Sequence, residues 1–140
     1  MKHQPSWKIF SSKLKLQEKV EENQKDIICF FLQIIGQLKT LHWQTQSYSR
    51  HMAYERIYDE IEDFIDNFIE VYQGKYGRLR IESNIVIKNI DDEGLNTFIN
   101  DSINTLKSLV DENESDMSLV NVRDEMIGKF NLLKYLLTLQ

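Results

Sequence analysis

The chain's single proline is Pro5, so 135 residues follow without one, and only five glycines interrupt the whole sequence of 140. A chain so poor in breakers is free to build long helices. Its apolar residues follow the helical period. In the first segment, expected over about residues 23–46, Ile27, Phe31, Ile34, Leu38 and Leu41 step by three or four and mark one buried face, which His42 and Thr45 continue. The string QTQSYS breaks that pattern and offers Ser47 or Ser49 as an N-cap. A second helix is expected from about residue 50 to 73, where Gly74 supplies a C-terminal stop. Its stripe is Tyr54, Tyr58, Ile61, Ile65, Phe68 and Tyr72.

Residues 75–90 read as a linker with an extended stretch around Ile85 to Ile87. Asp91, Asp92 and Glu93 then set negative charge at the start of a third helix, where the helix dipole favours it. Leu95, Phe98, Ile99, Ile103, Leu106, Leu109 and Val110 form its apolar face, and Leu119, Val122, Met126, Phe130, Leu133 and Leu137 that of a fourth. Two short connections make helices one and two antiparallel, and likewise three and four. About 10 extended residues cover a bundle ~33 Å long, so the linker is long enough to cross from end to end. The expected fold is all-α: a ferritin-like four-helix bundle with one long crossover between helices two and three, the alternative being an ordinary up-down bundle with a loose loop there. Residues 1–22 form a basic N-terminal arm and 23–140 the bundle domain.

Charge is divided unevenly. Residues 1–20 carry Lys2, Lys8, Lys13, Lys15 and Lys19 against Glu18, a balance of +4, which leaves −9 on the rest of a chain whose net charge is −5. Such an arm suits phosphate, so DNA is an expected partner through it, beside the plainer role of a solubilising terminus. The lone cysteine, Cys29, has no internal disulfide partner and sits in the apolar run Ile27 to Phe31, where it reads as a small core residue. No apolar run approaches the roughly 20 residues that cross a bilayer, and no signal-peptide pattern opens the chain, so a cytoplasmic location and no membrane partner are expected.

The second helix carries the chemistry. Beside its apolar stripe run His51, Glu55, Asp59, Glu62, Asp66 and Glu70. Acidic stripes are usually solvated faces. Here a histidine heads the stripe four residues before Glu55, His42 ends the preceding helix across a short turn, and few lysines or arginines stand at i±4 to neutralise the carboxylates. Glu55 and Asp66 are eleven residues apart, ~16.5 Å along a helix, so they cannot hold one ion within one chain. The stripe offers two half-sites, His51 with Glu55 and Asp66 with Glu70. Two copies of this helix, antiparallel about a two-fold near residues 60 and 61, would join each half-site to the other, with His42 contributing from helix one.

The string HWQTQSYSRHMAYE followed by DNFIE resembles the ferroxidase signature of Dps proteins, the ferritin-like mini-cages of starved cells. In this sequence the pattern falls on His42-Trp43, His51, Glu55, Asp66 and Glu70. The stretch FIEVYQGKYGR and the ending KYLLTLQ are similar to small Dps-related proteins of tailed phages. The resemblance covers roughly residues 24–78. It departs from the pattern in a shorter turn between the histidines, in Glu55 where Asp is usual, and in an extended linker where a short helix is usual. It implies iron (Fe2+/Fe3+) held between subunits by His42, His51, Glu55, Asp66 and Glu70, which would also be the catalytic residues of Fe(II) oxidation by peroxide or oxygen. It further implies a homo-oligomer, from a two-fold dimer to a cage, in a host bacterial cytoplasm for a phage-encoded chain. Imidazole with carboxylate also suits Zn2+ or Mn2+. The alternative is a metal-poor ferritin-like bundle serving as a viral interaction or structural protein. Trp43 reads as a packed aromatic beside the turn or as a neighbour of the site. Arg123 with Asp124 and Glu125 reads as a bundle ion pair or as a group that hydrogen-bonds the site carboxylates, His3 as inert, and Gly36 and Gly128 as points of close helix packing.

Overall fold

The computed structural model describes residues 27–139 except 112, 114 and 116. The N-terminal arm therefore lies outside the described residues. Within them the fold is a four-helix bundle: α1 over 27–44, α2 Tyr48–Tyr76, α3 Asp92–Ser108 and α4 Met117–Leu136, with no strand. Ile27, Phe31, Ile34, Leu38 and Leu41 are all buried, as are Ile61, Ile65, Phe68 and Tyr72 of α2. Phe31 meets Phe68 edge-on at 5.5 Å between centroids, and Phe98 meets Phe130 at 6.2 Å. α4 packs on both α2 and α3. A surface clamp adds to the first of these contacts: Glu60 of α2 receives Arg56 at 3.0 Å and Lys129 of α4 at 2.9 Å.

Helix ends follow local chemistry. Ser47 is the N-cap of α2, its hydroxyl accepting from the Arg50 amide, and Asp91 caps α3 by accepting from the Gly94 amide at 2.7 Å. The expected stop at Gly74 is corrected. α2 runs on to Tyr76 and ends at Gly77, whose φ of 99° lies in the left-handed region where a side chain is strained. Gly74 meets no such demand inside the helix. Gly128 is also corrected: a Cβ there would meet nothing within 4 Å, so no helix among the described residues packs closely on it.

The link between α2 and α3 occupies 77–91 and follows α1. Gln73 captures its start by accepting from the Leu79 amide. Further on, the Cys29 thiol donates to the Asn84 carbonyl at 3.5 Å, Gln33 accepts from the Val86 amide at 3.0 Å, and Gln37 binds both backbone groups of Lys88 at 2.7 and 3.0 Å. Gln44 then reaches Asn89, and Arg50 meets Asp92 at 2.6 Å. The spacing has a simple cause. Four helical residues rise about 6 Å and two extended residues about 6.6 Å, so positions 29, 33 and 37 keep step with 84, 86 and 88. Gln37 is 5% exposed, and both the nitrogen and the oxygen of its amide bond the link, as a buried amide requires. Gly36 lies beneath: a Cβ there would come within 2.7 Å of Ile87 Cδ1. It serves the approach of the link, not the approach of a helix.

Candidate metal centre

The turn between α1 and α2 leaves three residues, 45–47, outside the helices. It reverses the chain so tightly that His42 and His51 stack, with ring centroids 3.8 Å apart and planes 21° from parallel. His42 Nδ1 lies 2.9 Å from the His51 carbonyl, and His51 Nδ1 lies 2.9 Å from the His42 carbonyl. A carbonyl only accepts, so each Nδ1 carries the proton and donates it. In the neutral imidazole that leaves the lone pair on Nε2, the atom that binds a metal. Backbone carbonyls fixing the far nitrogen of a histidine are the usual outer support of metal-binding imidazoles.

Both histidines are half-buried, whereas Glu55, Asp66 and Glu70 are exposed on the outer face of α2. Among the described residues no ion pair reaches Glu55, Asp59, Glu62, Asp66 or Glu70, while Glu60, just off the stripe, is doubly paired. Three or more His, Cys, Asp or Glu side chains nowhere gather within one chain, among the described residues, in a group able to hold a metal. The two histidines thus come together, and Glu55, Asp66 and Glu70 do not join them in the single chain.

The surroundings differ from expectation in two ways. Trp43 is 71% exposed, so it is not a packed aromatic; Lys39 Nζ stands 5.8 Å from its ring and 4.1 Å from the ring of Tyr58. Cations so placed over aromatic faces are held by the ring quadrupole. Arg123 pairs with its neighbour Asp124 at 2.8 Å, not across the bundle. Beside the α1–α2 turn, Arg50 bonded to Asp92 is pushed up from its ordinary value, and burial pushes the Tyr54 hydroxyl up. Sequence reasoning did not foresee the reciprocal bonding of the histidines. Its signal was the nine-residue spacing across a turn too short to hold them apart.

Residues 42–137 match the family described as Family of unknown function (DUF5856). The chain belongs to DUF5856. Among curated proteins and among solved structures, nothing matches. The DUF5856 span begins at His42 and includes the candidate ligands His51, Glu55, Asp66 and Glu70. It also takes in the link and both later helices, so the histidine pair, the acidic face and the strapped link are all parts of the DUF5856 region.

Proposed function

We propose that this chain is a Dps-like iron-binding protein whose metal site is shared across a two-fold subunit interface, with Fe(II) oxidation as its chemistry. The observation that carries this reading is the stacked pair His42 and His51, each with Nδ1 tied to a carbonyl and Nε2 left for a ligand. The donor set fits a first-row divalent ion: imidazole nitrogen from one chain, with Glu55 one helical turn on and Asp66 and Glu70 from the other. A shared site also accounts for the exposed carboxylates that no basic side chain among the described residues neutralises. Bound iron would supply the electron for reduction of peroxide or oxygen. The chain's own groups orient it through the histidines and stabilise the added charge of Fe(III) through carboxylates. The course of residues 84–92 along α1 supports a lengthwise crossover, the ferritin-like connection.

A second reading, a bundle that works by protein contact without metal, is favoured by the exposed Trp43, Tyr48 and Met52 around the α1–α2 turn. An anaerobic Fe(II) titration followed by mass measurement separates the two. The metal reading expects one or two ions per subunit and, once peroxide is added, oxidation faster than with oxygen. Protein that retains no iron, and oxidises none above the buffer rate, leaves the contact reading in its place.

A further inference from the structure

The link has two backbone edges, and α1 uses only one. Val86 and Lys88 turn their amides to Gln33 and Gln37. In an extended segment the groups of Ile85 and Ile87 face the opposite way, and among the described residues neither forms a backbone hydrogen bond. Ile85, Val86 and Ile87 are 43%, 54% and 41% exposed. An apolar edge with free amides and carbonyls is a template for another strand. At roughly 100° per residue around α1, Leu32 and Trp43 lie on the far side of Gly36 from Gln33 and Gln37. The free edge therefore borders those two exposed side chains.

We propose that this edge pairs with the same edge of a second copy of the chain, antiparallel about a two-fold at Val86. The local sequence is self-complementary in that register. Ile85 lies opposite the second copy's Ile87, Val86 opposite its own counterpart, and four hydrogen bonds form from the groups of Ile85 and Ile87. Charge agrees as well: Lys88 meets Asn84 of the second copy and stands diagonal to Glu82, within reach of a long side chain, while the two Lys88 are kept apart.

The height of the axis provides a separate argument. Gln33 lies nine residues down α1 from His42, and Glu60 nine residues up α2 from His51, so the stacked histidines put Gln33, and Val86 with it, level with about residue 60 of α2. That is also where the metal reading needs its two-fold. The pairing shares its axis with that reading but needs no metal. The short ladder alone falls below the roughly 1,000 Å2 of a specific interface, and the exposed Leu32 and Trp43 beside it extend it without metal.

The test uses the full chain in chelator, with Cys29→Ala as background and oxidised glutathione as oxidant. At a non-hydrogen-bonded pair the two Cα atoms lie about 4.5 Å apart, so Val86→Cys should yield disulfide-linked dimers at least tenfold faster than Ile85→Cys, whose counterpart lies across from Ile87. By sedimentation equilibrium, Ile85→Pro, which deletes an outward amide and spares the bonds to Gln33 and Gln37, should raise the dimer dissociation constant at least tenfold. Equal cross-linking of the two cysteine variants, or a chain monomeric in chelator, overturns the pairing. Iron bound without the Val86 cross-link would overturn the pairing alone, and the cross-link without any metal binding would overturn the metal reading alone.

Discussion

His42 and His51 each donate Nδ1–H to the other's backbone carbonyl at 2.9 Å, so neither ring can turn without breaking the bond that ties it to the other residue's main chain. Two consequences follow. The rings are oriented before any ligand arrives, which removes part of the ordering cost of binding. The backbone carbonyl of each histidine also acts as the outer support of the other's ring.

Replacing either one removes an imidazole and the stacking on its neighbour, while the main-chain carbonyl that the remaining ring bonds is kept. His42→Ala is expected to lower divalent-metal affinity by at least tenfold through the lost imidazole, and His51→Ala by at least as much. Isothermal titration with Zn(II), which adds no redox chemistry, reads this directly. Circular dichroism should show an unchanged helical bundle, since the buried stripes of α1 and α2 are untouched. Unaltered affinity in both variants would mean that the stacked pair has no part in binding.

The clamp between α2 and α4 gives a pH dependence of known sign. Hydrogen bonds from Lys129 and then Arg56 hold the Glu60 carboxyl below its ordinary range, against a smaller opposing push from burial. A carboxyl lowered by folding contributes stability above its unfolded pKa and loses it as pH falls through the folded value. Stability should thus decline on acidification from about pH 5 downward, and in Glu60→Gln that decline should be shallower. The side chain is about a third exposed, so the difference is of order 1 kcal/mol or less. Urea unfolding at a series of pH values measures it. Parallel curves for the two proteins would contradict the assignment.

The helices were legible because apolar stripes at helical spacing leave one way to bury Ile27, Phe31, Ile34 and Leu38. Boundaries were less so. Gly74 and Gly77 are both credible stops by sequence, and only the backbone distinguishes the one at φ 99°. The five candidate ligands were legible as residues at spacings, but their support was not: backbone carbonyls leave no mark on a side-chain pattern. The path of the link was hidden for a related reason. Gln33 and Gln37 look like ordinary polar positions of a helix until an extended segment is set beside them. The exposure of Trp43 runs against the common burial of tryptophan, and nothing in its neighbours' identities announces it.

The arm, outside the described residues, provides a separate prediction. Five lysines within residues 1–20 can displace counterions from phosphate, while the −9 carried by the rest of the chain opposes approach. DNA retention should be salt-sensitive and should vanish when residues 1–20 are removed. A gel-shift series at rising salt tests this, and equal retention by the truncated protein would clear the arm of the role.

The claim that the site is divided between subunits is tested most directly by mixing two broken chains. One lacks His51 and Glu55; the other lacks Asp66 and Glu70. Each homodimer then has two half-broken sites and should bind no metal. Heterodimers formed by co-refolding should contain one intact site and one fully broken, and metal binding should return to as much as half the wild-type level. No recovery, in heterodimers shown by mass to have formed, would contradict the shared site.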